Sequence, residues 1–172
     1  MDKILGKITC KKIYMVLSLG YALLMFPLLW ISKYNHMCAD DYGYGLAPHL
    51  AWVETGSMIE VFKAATQVVT DYYDWWQGTY SSIFLMALQP GIFGEKYYFL
   101  GALFLYLVFH VAVIYLLRTL LVKFFKADKY VAGIATILVL VLLIQFMETP
   151  VQSFYFYNAG VHYIFMASVL MV

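Results

Sequence analysis

Residues 13–32, IYMVLSLGYALLMFPLLWIS, decide the fold, because this run of 20 residues contains no charged side chain. At about 1.5 Å per residue, a helix of this length crosses a hydrocarbon core of roughly 30 Å. The composition agrees, since 64% of the residues are hydrophobic, 19% are aromatic and only 12% are charged. A water-soluble domain does not need so much apolar surface for its core, so the sequence predicts a membrane protein.

Three further apolar runs follow, at about residues 97–117, 130–147 and 161–172. The first two are long enough to cross a bilayer, whereas the last stops after 12 residues and is incomplete as a span. The sequence therefore predicts an all-α membrane protein with three transmembrane helices and the start of a fourth. We expect residues 1–172 to form a single membrane domain, the N-terminal fragment of a longer polytopic protein.

The first apolar run also resembles a secretory signal peptide, because lysines precede it. It is too long for a usual signal sequence, and it ends near Trp30 and Tyr34 rather than at a small-residue cleavage site. Aromatic residues at such a position are typical of the membrane interface. An uncleaved first helix is therefore favoured.

The basic residues predict the orientation, because they fall on one side if the spans alternate. This side carries Lys3, Lys7, Lys11, Lys12, Arg118, Lys123, Lys126 and Lys129. Positively charged segments stay in the cytoplasm, so the N-terminus is expected to be cytoplasmic in the plasma membrane. The segment 33–96, with three lysines and seven acidic residues, is then external. The net charge of the chain is +1, and the sequence has no basic patch that would indicate nucleic-acid binding.

The external segment contains an amphipathic region at residues 57–89. Ser57 and Glu60 have the spacing of a capping box that opens a helix. Polar positions such as Lys63 and Gln67 alternate with apolar positions such as Met58 and Phe62 at helical spacing. This pattern predicts helices that lie at the membrane surface and end at the proline and glycine of residues 90–91.

Three motifs occur in or beside the predicted external segments: ADDY at residues 39–42, WWQGT at 75–79 and PVQSFYFYN at 150–158. Together with the predicted topology, these motifs resemble the N-terminal part of GT-C-type membrane glycosyltransferases and of related bacterial multi-span proteins. The resemblance covers essentially the whole chain but only about the front third of such an enzyme. Related sequences often carry an arginine after the glycine of the second motif, where this chain has Thr79.

The resemblance implies transfer of a sugar from a polyprenyl-phosphate-linked donor to a cell-envelope acceptor on the outer face. It places Asp40 and Asp41 at the catalytic centre, without choosing between them, since a carboxylate can deprotonate the incoming hydroxyl. A divalent cation, Mg or Mn, is a possible cofactor with the same two carboxylates as ligands. The substrate contacts that we expect are Tyr42, Trp76, Gln77, Tyr157, Asn158 and His162.

Each of these residues also has a simpler interpretation. An acidic pair in an external segment is usually solvated, and tyrosines and tryptophans occur at interfaces for amphipathic reasons alone. His36 and His49 flank the acidic pair but lack the paired spacing of metal ligands. His110 lies within the second span, where a neutral histidine bonded between helices is favoured over a proton relay.

The alternative function is a non-enzymatic membrane transporter or channel component. It would use His110, Gln145 and Glu148 as a polar path through the helices. Transporters place coupling carboxylates near the bilayer midplane, whereas no aspartate or glutamate lies within any apolar run proposed to insert in the bilayer here. The positions of the acidic residues therefore favour chemistry at the membrane surface.

Overall fold

The computed structural model describes residues 9–172, and over this range the protein has eight α-helices and no strand. The predicted all-helical class is therefore confirmed. Lys3 and Lys7, used above to predict the orientation, lie outside the described residues. The helices are α1 (Cys10–Ile31), α2 (Asp40–Thr55), α3 (Met58–Trp75), α4 (Tyr80–Ala87), α5 (Phe99–Arg118), α6 (Lys129–Gln145), α7 (Tyr157–Gly160) and α8 (Met166–Leu170).

Two helical segments are long and apolar enough to cross a membrane, Cys10–Tyr34 with 25 residues and Glu95–Phe124 with 30 residues. They contain α1 and α5. The predicted third span forms α6, which is apolar but has only 17 residues and so measures about 25 Å. The predicted fourth run forms a π-helical turn, Val161–Phe165, followed by α8. The structure thus has two helices of membrane-crossing length among residues 9–172, where the sequence predicted three.

Helices α1, α5 and α6 pack side by side with alternating directions. Tyr21 of α1 contacts His110 of α5. The ring centroids of Tyr14 and Tyr130 lie 6.1 Å apart, so the beginnings of α1 and α6 are neighbours. At the opposite end, the Tyr155 hydroxyl donates to the Leu28 carbonyl at 2.8 Å, which fixes the chain after α6 against the end of α1. The connection between α1 and α5 and the segment after α6 therefore meet at the same end of the bundle.

Helix α2 was not predicted, because Gly43, Gly45 and Pro48 all disfavour a helix interior. Tertiary packing outweighs this preference. A Cβ atom at residue 45 would lie 2.7 Å from the Gln89 side-chain amide, so only glycine allows this close approach. The helix ends at Gly56, whose φ of 62° is the left-handed conformation typical of a helix C-terminus.

The amphipathic region forms α3 and α4, as predicted. The predicted capping box is wrong, because the Ser57 side chain makes no capping bond and Glu60 instead pairs with Lys63 at 2.8 Å. The buried face of α3 consists of Val61, Ala65 and Val68, and of the predicted apolar face Ala65 is buried whereas Met58 and Phe62 are exposed. Helix α4 ends at Ala87, before the 3-10 turn Pro90–Phe93, where a break was expected.

Candidate functional site

The second carboxylate of the acidic pair, Asp41, is completely buried at the beginning of α2. Its Oδ2 accepts hydrogen bonds from the backbone N–H of Cys38, at 3.1 Å, and from the hydroxyl of Tyr98. Its Oδ1 has no hydrogen-bond partner within the described residues. Burial raises the pKa of the Asp41 carboxyl, while the bond from Tyr98 opposes this shift. Asp41 therefore lies in the packed interior and not in a solvated loop.

Gln89 and Tyr98 hold the beginning of α2 in place. The Gln89 amide donates from Nε2 to the backbone carbonyl of Asp41 at 2.5 Å, and both residues are fully buried. The Tyr98 oxygen accepts the backbone N–H of Tyr157 at 3.0 Å while its hydrogen goes to Asp41. The starts of α2, α5 and α7 are thereby joined through one tyrosine hydroxyl.

Asp40 is exposed, in contrast to Asp41, and it borders a cavity of about 240 Å³. Successive residues of a helix point about 100° apart, and here the Asp41 side chain points into the interior while the Asp40 side chain points out of it. The cavity is lined by Asp40, Tyr44, Trp76, Gln77, Met86, Phe156, Asn158, Ala159, His162 and Tyr163. Five of the eight predicted catalytic or substrate-binding residues thus border one cavity, although they come from three separate parts of the chain.

Asn158 contributes an amide that is almost fully buried, and neither its Oδ1 nor its Nδ2 has a hydrogen-bond partner within residues 9–172. A buried amide of this kind normally makes hydrogen bonds, because leaving a donor or acceptor unpaired costs about 1–3 kcal/mol. Since Asn158 borders the cavity, its donor and acceptor groups can pair with a polar ligand there.

His162 is held by Ser82 of α4. The Ser82 hydroxyl donates to the Thr79 carbonyl at 3.1 Å, so its oxygen accepts from Nδ1 of His162 at 3.2 Å. In this arrangement Nδ1 of His162 carries a hydrogen and donates it to Ser82. Nε2 is then the ring nitrogen of this cavity-lining histidine that can serve a ligand. Thr79 lies partly buried at the start of α4.

Two predicted substrate contacts lie elsewhere. Tyr157 is buried in the core, where its ring packs so closely on α5 that a Cβ atom at residue 101 would lie 2.5 Å from it. Tyr42 borders a separate cavity of about 280 Å³, together with Met37, His49 and Gly91. Tyr42 and Tyr157 therefore do not border the cavity of Asp40.

The described residues do not fit a divalent cation. No group of three or more His, Cys, Asp or Glu side chains in residues 9–172 is close enough to hold a metal. Asp41 directs one carboxylate oxygen to Tyr98 and Cys38, and His49 bonds from Nδ1 to the Ile92 carbonyl at 2.7 Å. The Mg or Mn site that the sequence left open at Asp40 and Asp41 therefore has no third such ligand among residues 9–172.

Sequence reasoning missed Gln89, Tyr98, Ser82 and Tyr44. Tyr44 borders the cavity and stacks on Tyr72 of α3 at 4.5 Å between ring centroids, and burial raises its pKa. Gln89 gave the clearest signal, since it is a polar residue at the end of an apolar run and directly before a proline. Nothing in the sequence distinguishes Tyr98 from the other tyrosines near it.

The cavity brings together residues from the starts of α2 and α7, from the connection between α3 and α4, and from the π-helical turn that follows α7. Its polar groups are a carboxylate, two side-chain amides, an imidazole and tyrosine hydroxyls. Comparisons of the chain with models of protein families, with curated proteins and with solved structures find no match.

Proposed function

We propose that this protein is a GT-C-type membrane glycosyltransferase that moves a sugar from a polyprenyl-phosphate-linked donor to a cell-envelope acceptor. The observation that supports this function is the cavity shared by Asp40, Trp76, Gln77, Asn158 and His162. Asp40, Trp76, Gln77 and Asn158 belong to the three motifs that carry the resemblance to this class of enzyme, and His162 follows the third motif by four residues. In this proposal the N-terminus is cytoplasmic and the cavity opens at the outer face of the plasma membrane.

Asp40 is the proposed general base. Its carboxylate is exposed at the cavity, so it can take the proton from the acceptor hydroxyl as the oxygen attacks the anomeric carbon. The bond from the anomeric carbon to the phosphate oxygen breaks, and the polyprenyl phosphate leaves with the electron pair. A new glycosidic bond forms and the proton remains on Asp40. This step requires a carboxylate in contact with substrate, which excludes the buried Asp41 from the role.

Asp41 has a positioning role in this proposal. Its bonds to Cys38 and Tyr98 fix the first turn of α2, and this turn sets the direction of the neighbouring Asp40 side chain. A rigid support of this kind reduces the reorganisation that a catalytic group undergoes during reaction. The acidic pair therefore divides into one residue that contacts substrate and one that holds it in place.

The remaining lining residues fit a phosphorylated sugar. The buried Asn158 amide offers a donor and an acceptor to sugar hydroxyls, and Gln77 adds a second amide. Trp76 and Tyr44 provide aromatic faces of the kind on which sugars stack. His162, oriented by Ser82, is the lining residue that can carry a positive charge toward the departing phosphate.

Exposed aromatic residues beside the cavity suit a lipid-linked donor. Tyr73, Trp75 and Trp76 at the end of α3 are each more than half exposed, at 62%, 65% and 67%. Tryptophan and tyrosine are enriched at the depth of the lipid headgroups. A polyprenyl chain held in the bilayer would present its phosphate at this level, next to the cavity.

The alternative of a transporter or channel component has less support. A proton relay through His110 needs a partner at each ring nitrogen that can pass a proton on. Nε2 contacts the Tyr21 hydroxyl at 2.5 Å, but Nδ1 contacts the backbone carbonyl of Tyr106 at 2.6 Å, which cannot pass a proton on. Since a carbonyl only accepts, Nδ1 donates to it. The predicted bond between helices through His110 is therefore confirmed. The other two polar residues of that path, Gln145 and Glu148, are exposed at the end of α6 and just beyond it.

The test measures transfer of labelled sugar from a mixture of polyprenyl-phosphate donors by the full-length protein in membrane vesicles. We expect Asp40→Asn to lower the rate by about 10²–10⁴-fold at unchanged expression, as for loss of a general base. Asp74→Asn is the matched control, because Asp74 is an exposed aspartate on α3 that does not border the cavity. Equal rates for Asp40→Asn and the wild type would contradict the proposal, as would no transfer by the wild type from any donor.

A further inference from the structure

A third cavity, of about 500 Å³, lies between α1, α5 and α6, at the end of the bundle opposite the Asp40 cavity. It is bordered on one side by Tyr14, Ser18 and Tyr21 of α1. The other side is formed by His110, Ile114 and Arg118 of α5, by Val122, and by Lys129, Tyr130, Ala132, Gly133, Thr136, Ile137 and Leu140. Its volume is within the range of roughly 300–1,000 Å³ that is usual for small-molecule sites.

Two cations, Arg118 and Lys129, border this cavity, and neither forms an ion pair with a carboxylate of the described residues. The ion pair of Glu60 with Lys63 is the only one among residues 9–172, so no described carboxylate lies within 4.0 Å of Arg118 or Lys129. Asp128 precedes Lys129 in the chain, but it caps α6, where its Oδ1 accepts from the backbone N–H of Tyr130 at 2.8 Å. The positive charge of the cavity is therefore not neutralised by a neighbouring ion pair.

Four other polar side chains of the cavity, those of Ser18, Tyr21, His110 and Thr136, already have hydrogen-bond partners. The Ser18 hydroxyl donates to the Tyr14 carbonyl at 2.8 Å, and the Thr136 hydroxyl donates to the Ala132 carbonyl at 2.8 Å. His110 and Tyr21 bond to each other, as described above. The cavity thus has two cations at one end and an apolar wall, which includes Ile114, Val122, Ile137 and Leu140.

We propose that this cavity binds one anionic phospholipid, with its phosphate on Arg118 and Lys129 and its acyl chains along the apolar wall. The planar guanidinium of an arginine forms two parallel bonds to phosphate, and a lysine adds a second point charge. Basic pockets between membrane helices bind anionic lipid headgroups for this reason. The inference uses the membrane-length helices α1 and α5 and does not depend on sugar transfer.

The experiment uses the purified full-length protein and native mass spectrometry to measure binding of phosphatidylglycerol and phosphatidylcholine. We expect phosphatidylglycerol to bind at least roughly tenfold more tightly, because only its headgroup has a net negative charge. Arg118→Gln and Lys129→Gln should each weaken that binding by roughly tenfold, as expected for loss of a charge-assisted hydrogen bond. Lys123→Gln is the matched control, since Lys123 is an exposed cation of the same region that does not border the cavity.

A second variant changes the size of the cavity without changing its charge. Ile114→Trp fills the apolar part of the cavity and keeps both cations, so we expect it to weaken phosphatidylglycerol binding. Equal binding of the two lipids, or an equal loss in Lys123→Gln and Arg118→Gln, would overturn the proposal. Inorganic phosphate forms a third arm: competition by phosphate at the affinity of the lipid would show a site for a soluble anion and would likewise overturn the assignment to a lipid.

Discussion

The Tyr98 hydroxyl donates its hydrogen to Oδ2 of the buried Asp41 and accepts the backbone N–H of Tyr157. Tyr98 lies near the beginning of the segment Glu95–Phe124, which is long enough to span a membrane. Asp41 lies in the first turn of α2, a helix that the sequence does not predict. The Tyr98 side chain therefore connects the starts of α2 and α5 with Tyr157, the residue before Asn158. The position of the proposed catalytic cavity depends on this bond.

Tyr98→Phe should lower the free energy of unfolding by about 1–3 kcal/mol, since it removes one of the two hydrogen bonds to Oδ2 of Asp41 and leaves the backbone N–H of Tyr157 without its acceptor. Thermal unfolding of the full-length protein in detergent measures this change. Tyr97→Phe is the control, because Tyr97 is 40% exposed on the neighbouring position. An equal melting temperature for Tyr98→Phe and Tyr97→Phe would contradict the structural role of the Tyr98 hydroxyl.

The buried Asp41 predicts a pH dependence of stability. Its pKa is raised by burial, so the folded protein holds this proton more tightly than the unfolded chain. As the pH rises from about 4 toward the raised value, the unfolded state releases its proton first and the stability contribution of Asp41 falls. Protonated Asp41 therefore favours the folded state, and this contribution is fully present only on the acidic side.

Asp41→Asn tests this sign. The asparagine oxygen can still accept from Cys38 and Tyr98, while the group no longer ionises. We expect the difference in melting temperature between Asp41→Asn and the wild type to grow in favour of the variant as the pH rises from about 4 to 7. A difference that is constant with pH would show that the Asp41 carboxyl does not titrate differently in the two states.

Ser82→Ala should lower sugar transfer by roughly 3–10-fold, the effect of losing one hydrogen bond of about 1 kcal/mol that orients His162. Ser81→Ala is the matched control, since Ser81 is an exposed neighbour of the same type on α4. Equal rates in the two variants would show that the Ser82 hydroxyl does not contribute to the site.

Gly101→Ala should destabilise the protein by about 1–3 kcal/mol, because the new Cβ would lie 2.5 Å from the buried Tyr157 ring. Displacement of Tyr157 also moves the adjacent Asn158, so we expect transfer to fall too. Gly20→Ala provides the control, as no atom outside its own helix lies within 4 Å of the position of its Cβ. If both alanine variants unfold at the same temperature, the close packing of Tyr157 on α5 does not contribute to stability.

The helices were predictable wherever the local pattern was strong. The uncharged run that forms α1 and the amphipathic spacing of α3 gave correct elements. Helix α2 was missed because its two glycines and its proline oppose a helix locally, and contacts with the distant Gln89 and Ile92 outweigh them. The predicted capping box was wrong because the Glu60 carboxylate forms an ion pair with Lys63.

The sequence by itself determined that this chain is helical, since a segment with apolar side chains that enters lipid must pair its polar backbone groups within the segment. It also indicated which residues could carry chemistry. Only the tertiary structure decided that Asp40 faces a cavity while Asp41 is buried, because the two differ by about 100° around one helix and packing selects the inward direction. The same packing places Asn158 and His162 beside Asp40, across more than 100 residues of sequence.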